Sequence, residues 1–152
     1  MKLRNFPTPL VPVIALICRL ALAILFFYAG IEKIIAPQEF AVAIYNYQLL
    51  PDQVINLLAL YLPWLEVFLA TGLIAGIYVR GASLISALLF LTFAVALTIN
   101  LVRGLDISCG CFGAASGNIN WLYLVRDVSL LIMSVFTLFF DRGWRYFFGS
   151  PG

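Results

Sequence analysis

Four long apolar runs, at about 10–31, 54–79, 82–102 and 121–140, leave this chain few ways to fold. Each can cross the roughly 30 Å of a bilayer's hydrocarbon as a helix rising about 1.5 Å per residue. A soluble chain of 152 residues has too much surface for its volume to hide four such runs. Composition agrees: 64% of residues are hydrophobic and 11% charged, where a soluble domain carries about 25% charged residues. Lipid is the solvent that removes the conflict. The expected fold is all-α, an integral membrane four-helix bundle forming a single domain over 1–152. Lys2 and Arg4 precede the first run as they would a signal peptide. That run is nevertheless too long for a signal's apolar region, Arg19 interrupts it, and no small-residue cleavage site follows.

The segments between the runs add detail. Pro37 is expected to end the first helix. Residues 38–50 then mix Phe40, Ile44, Tyr45 and Tyr47 with polar groups, which predicts a short interfacial helix in the first outer loop. Between the second and third runs only Arg80 and Gly81 remain, so those two helices should be antiparallel neighbours. Lys2, Arg4, Arg80, Arg142 and Arg145 fall on one side of the membrane, and Lys33 and Arg103 on the other. Basic residues favour the cytoplasmic side. Both termini are therefore expected in the cytoplasm, and the first and third loops outside it, in the cell's inner (plasma) membrane.

Several function classes drop out. There is no histidine, which removes histidine-held haem, the usual zinc and copper sites and a histidine base. The net charge of +2 comes without a basic stripe, so no nucleic acid partner is expected. Three cysteines, Cys18, Cys109 and Cys111, are too few for an iron–sulfur cluster held by one chain. No metal site is expected.

Two of those cysteines stand out. The third loop reads Ser108-Cys109-Gly110-Cys111-Phe112-Gly113, a thiol pair beside the membrane on its oxidising side. A disulfide needs Cα atoms about 4.4–6.8 Å apart. Residues i and i+2 reach that only with an unusual backbone, which Gly110 permits. A ring so small should be strained, and strained exposed disulfides tend to be the reactive ones. The alternatives are a structural disulfide or two idle thiols. Cys18, inside the first run, reads as a small packing residue.

Charge inside the membrane is the other signal. Arg19, Glu66, Arg126 and Asp127 fall within the runs, and their formal charges cancel. Isolated charges in hydrocarbon are costly, so such groups pair and often mark function. Glu66 is deepest, one turn after Pro63, and either Arg19 or Arg126 is within reach of it. Arg19, Gly30 and Lys33 share one face of the first helix. Asn100 closes the third helix, where it satisfies backbone groups or orients a substrate. An ion-pair network that merely holds the bundle explains the same residues. Gly72-Leu-Ile-Ala-Gly76 permits close helix packing. Phe26, Phe27, Tyr28, Trp64 and Phe68 form either core and lipid contacts or the wall of a flat apolar site, for example for a quinone.

These residues together resemble the MauE/DoxX family of redox-associated membrane proteins. The carriers are Arg19, Tyr28-Ala-Gly30-Ile-Glu-Lys33, Leu50-Pro51, Leu62-Pro63-Trp64-Leu65-Glu66, Asn100-Leu-Val-Arg-Gly104, Cys109-Gly-Cys-Phe-Gly113 and Arg126-Asp127. The Cys-Gly-Cys-Phe-Gly string is the most specific and is closer to the MauE branch. The resemblance implies a four-helix bundle whose extracytoplasmic thiol pair supports disulfide formation or electron transfer for exported proteins, with a thioredoxin-like or other exported thiol partner. Bundles that couple thiol exchange to quinones are similar in outline but use C-x-x-C sites and further cysteines, which this chain lacks.

The expected function is thus a membrane thiol–disulfide redox protein. Cys109 and Cys111 would be the catalytic residues, and Arg19, Glu66, Arg126, Asp127, Lys33 and Asn100 a supporting polar pocket. A quinone is the cofactor left open. The rivals are a non-catalytic subunit of a membrane electron-transfer complex and a small transporter.

Overall fold

A computed structural model describes residues 10–104 and 121–141. They form five helices and no strand: α1 (Leu10–Ile35), α2 (Pro37–Asn46), α3 (Asp52–Ala75), α4 (Val79–Arg103) and α5 (Trp121–Phe140). Four of them, α1, α3, α4 and α5, are long and apolar enough to cross a membrane. The short α2 lies where an interfacial helix was expected.

The helix ends depart from expectation in ways the local chemistry explains. α1 does not stop in the low thirties but runs on to Ile35, which puts Lys33 in its last turn. Pro37 is the first residue of α2 as well as a barrier to α1. At that position a helix needs no N–H, so proline costs nothing. The α3–α4 connection is not Arg80 and Gly81, which belong to the first turn of α4. It is Gly76 to Tyr78. Gly76 takes φ +68°, and the Ile77 N–H donates to the Gly72 carbonyl. This left-handed closure is the common use of a glycine just past a helix end.

Gly76 thus terminates a helix. The nearest atom that a Cβ on Gly72 would meet is the Ile77 carbonyl oxygen, 3.7 Å away. Gly72 therefore makes no close helix–helix approach, and Gly76 serves as a stop signal. The close approach occurs at Gly30. A Cβ there would sit 2.7 Å from Val67 Cγ2 and 3.0 Å from the Pro63 carbonyl oxygen.

α1 lies along α3, α4 along α5, and α1 also touches α5. Ala15, Arg19, Leu22, Ala23, Phe26, Gly30 and Lys33 recur at helical spacing and form the buried stripe of α1. Leu22, Ala23 and Phe26 meet Leu69, Ala70 and Leu73 of α3, Val79 and Ala82 of α4, and Leu130 of α5 in the central core. Opposite these stripes Ile24, Phe68, Leu122 and Val102 stand well exposed, as suits helices bathed in lipid.

The α4 and α5 contact faces carry small residues: Ala82, Ser83, Ser86, Ala87 and Ala94 on α4, Ser134 and Thr137 on α5. Small side chains let helix backbones approach within lipid, where burial of apolar surface supplies no drive. Ser86, Ser134 and Thr137 return their hydroxyls to carbonyls one turn back, so their polarity is satisfied locally.

Candidate functional site

The close approach at Gly30 sets up the polar centre of the molecule. It holds α1 against Pro63 and Val67 of α3. Three residues after Gly30 comes Lys33, and three after Pro63 comes Glu66. The helices run in opposite directions, and side chains on a helix lean toward its own N-terminus. Lys33 and Glu66 therefore lean toward each other. The Lys33 ammonium donates to Glu66 Oε1 at 2.6 Å and Oε2 at 2.8 Å. Both residues are only 2% exposed.

Two aromatic rings complete the surroundings of Lys33. Its Nζ lies 5.0 Å from the centre of the Phe40 ring and 6.0 Å from that of Phe93. A ring face attracts a cation, more strongly once water is gone. Lys33 of α1 thus holds a carboxylate from α3 and rings from α2 and α4. The short helix is tied to the bundle through Phe40.

α5 brings the second ion pair. Arg126 donates from Nε and Nη2 to Asp127 Oδ1, at 3.0 and 2.8 Å, and its guanidinium lies 5.1 Å from the Tyr123 ring centre. Asp127 is buried, and its Oδ2 has no hydrogen-bond partner among the described residues. A cavity of about 30 Å³ lies between the pairs, lined by Lys33, Glu66, Arg126 and Asp127 and by Leu25, Phe26, Ala29, Leu89, Phe90, Phe93 and Leu130. A larger cavity, about 160 Å³, lies between α2, α3 and α4 and has an apolar lining that includes Phe40, Tyr47, Leu58, Leu62 and Phe93.

A third pair stands near the other end of the bundle. Arg19, fully buried, meets Asp141 at 3.4 Å, just past the end of α5. The described residues thus form three ion pairs, in which only Arg126 stays part-exposed. The pairing expected from sequence does not hold. Neither Arg19 nor Arg126 is Glu66's partner. Lys33 is, because α1 continues past it and Gly30 carries it to Glu66.

Sequence reasoning placed Lys33 in the polar pocket and on the Arg19–Gly30 face but did not pair it with Glu66, and it gave Asp141 no role. Asp141 follows the fourth apolar run and gave no signal of its own.

The remaining expected residues are placed as follows. Asn100 is fully buried near the end of α4, and its Nδ2 donates to the Ala96 carbonyl at 2.9 Å. That local bond engages only the Nδ2 group, and Oδ1 is buried with no hydrogen-bond partner among the described residues. Cys18 is a free, half-buried thiol in α1. Cys109 and Cys111 lie outside the described residues, in the connection between Gly104 and Trp121. The five aromatics proposed as one wall do not form one. Phe26 is turned into the core, its ring 5.1 Å from Phe90, while Phe27, Tyr28, Trp64 and Phe68 are exposed. Trp64 and Phe68 share an open apolar groove along α3 with Leu58, Tyr61, Leu62 and Leu65.

Comparison with known proteins follows this geometry. The family described as methylamine utilisation protein MauE matches residues 11–140. The chain is 34% identical to the methylamine utilization protein MauE of Paracoccus denitrificans over 126 residues, which cover 82% of this chain and 68% of that protein. It is 32% identical to the MauE of Methylorubrum extorquens over 123 residues, 80% of this chain and 66% of that one. The MauE of Methylophilus methylotrophus is 31% identical over 128 residues, 82% and 67%. No solved structure matches the chain significantly. The match runs from the second residue of α1 to the last of α5 and takes in both the Lys33–Glu66 and the Arg126–Asp127 pairs, so this chain belongs to the MauE family.

Proposed function

We propose that this protein is a thiol–disulfide redox component of the cell's inner membrane, serving the maturation of an exported enzyme of methylamine utilisation. The observation that carries the reading is the Cys109-Gly-Cys111 pair in the α4–α5 connection of a chain whose relatives are named for methylamine utilisation. In the oxidised form, a thiolate of an exported dithiol partner attacks one sulfur of the pair and forms a mixed disulfide. The partner's second thiol then displaces that bond. The partner leaves as a disulfide, and Cys109 and Cys111 take its two electrons and two protons. Run backwards, the same exchange reduces the partner. A thioredoxin-like protein fits this role.

Orientation supports the reading. Lys33 is buried against Glu66, so it is no longer a flanking charge, and Arg103 alone is left on the side opposite Lys2, Arg4, Arg80, Arg142 and Arg145. The bias toward cytoplasmic termini, and toward an extracytoplasmic cysteine connection, becomes stronger. Arg19–Asp141 ties the end of α5 to α1, and Lys33–Glu66 ties α1 to α3.

Maleimide labelling of Cys109 and Cys111 in membranes, before and after a reductant, tests the proposal. Labelling that rises after reduction is expected. Labelling that ignores redox state sinks it.

One observation favours a second reading, a non-catalytic subunit of a membrane electron-transfer complex. Every ion pair among the described residues closes inside the bundle, as purely structural charges would. Replacing both cysteines with serine separates the two readings, because a subunit would keep its partner active.

A further inference from the structure

The cavity between the two outer ion pairs is of a kind that binds water. Its volume of about 30 Å³ exceeds the roughly 10–15 Å³ that one water needs. Dry cavities of this size are lined by hydrocarbon alone, and a water needs two to four polar partners to stay. Here Lys33 enters from α1, Glu66 from α3, and Arg126 and Asp127 from α5, while α4 contributes only Leu89, Phe90 and Phe93. Asp127, 2% exposed, keeps Oδ2 without a hydrogen-bond partner among the described residues. A buried carboxylate oxygen left unbonded is expensive. Its other oxygen already takes two bonds from Arg126, and Glu66 takes two from Lys33.

We propose that one ordered water occupies this cavity, donates to Asp127 Oδ2 and links that carboxylate to the Lys33–Glu66 pair. The water makes two separate ion pairs into one centre spanning α1, α3 and α5. The centre is neutral overall, with two cations and two anions, so the water is held by hydrogen bonds to fixed charges and attracts no counter-ion. It also provides a hydrogen-bonded path between two carboxylates in a stretch otherwise walled by phenylalanine and leucine. The assignment does not depend on the thiol chemistry proposed above.

The test uses the full chain in nanodiscs with alanine methyl groups labelled for nuclear magnetic resonance. Ala29 lines the cavity, whereas Ala23, on the same helix, is fully buried in the apolar core. The Ala29 methyl is expected to show a nuclear Overhauser contact to a bound water, and the Ala23 methyl none. An Ala29 as dry as Ala23 overturns the proposal, and this comparison needs no variant. Leu130→Phe, which fills the cavity from α5, should abolish the Ala29 contact. Asp127→Leu, which removes the acceptor, should abolish it too. Persistence of the contact in folded Leu130→Phe overturns the location, and persistence in folded Asp127→Leu overturns the bridging role of Asp127.

Discussion

Lys33 grips both carboxylate oxygens of Glu66, at 2.6 and 2.8 Å, from the last turn of α1 to the middle of α3. Both side chains are withdrawn from the surface. Breaking such a pair from one side is worse than never having it, because the remaining charge stays buried alone.

The first prediction follows from that asymmetry. Lys33→Met should destabilise the protein by about 3–5 kcal/mol, the usual cost of stranding one partner of a buried pair. The double change Lys33→Met with Glu66→Leu should recover most of the loss. Thermal unfolding in detergent measures both. A double variant as unstable as the single one would show that the pair does more than cancel charge.

Gly30 is the geometric precondition for the pair. A methyl group there would lie 2.7 Å from Val67 Cγ2 and 3.0 Å from the Pro63 carbonyl oxygen. The valine can rotate away, but the carbonyl is backbone. Gly30→Ala should therefore push α1 off α3 and cost about 1–3 kcal/mol, as overpacking of a close contact does. Val67→Ala in the same chain should restore only part of the stability. Full restoration would assign the clash to the valine alone. An unchanged melting temperature in Gly30→Ala itself would contradict the close approach.

The two residues also mark how far the sequence could be read. The four spans were legible because hydrocarbon thickness imposes a length that no soluble helix needs. The amphipathic α2 was legible from its mixed composition, and the presence of paired charges within the spans from the cost of leaving a charge alone in hydrocarbon. Pairing was not legible, because it depends on where α1 stops and on which residue lets two backbones touch. Gly30 and Gly76 are the same residue type with opposite roles. One is buried against Pro63 and Val67, and the other takes a left-handed turn that ends α3. Sequence alone favoured the wrong one for packing, since Gly72 and Gly76 form a recognisable motif and Gly30 does not. Asp141 was missed for a related reason. It lies just beyond the last apolar run, and only the tertiary arrangement brings it to Arg19.

Orientation yields a prediction that uses residues at opposite helix ends. Arg80 lies in the first turn of α4 and Arg103 is its last residue. In a chain with Cys18, Cys109 and Cys111 changed to serine, Arg103→Cys should react with a membrane-impermeant maleimide in intact cells. Arg80→Cys should react only after the membrane is opened. The opposite pattern would place the α4–α5 connection in the cytoplasm, where disulfides do not persist, and would remove the basis for the thiol reading.

The last prediction separates the chemistry from the scaffold. Cys109 and Cys111 lie outside the described residues, which already form a buried core and three ion pairs. Changing both to serine should therefore leave the melting temperature in detergent close to that of the parent while abolishing redox-dependent maleimide labelling. Lys33→Met should do the reverse, lowering the melting temperature and leaving the labelling of whatever protein still folds responsive to reductant. If the serine variant instead melts several degrees lower, on the scale by which a 1 kcal/mol loss shifts a domain of this size, the pair is a structural staple. In that case the redox reading fails at its first step, even with the orientation as proposed.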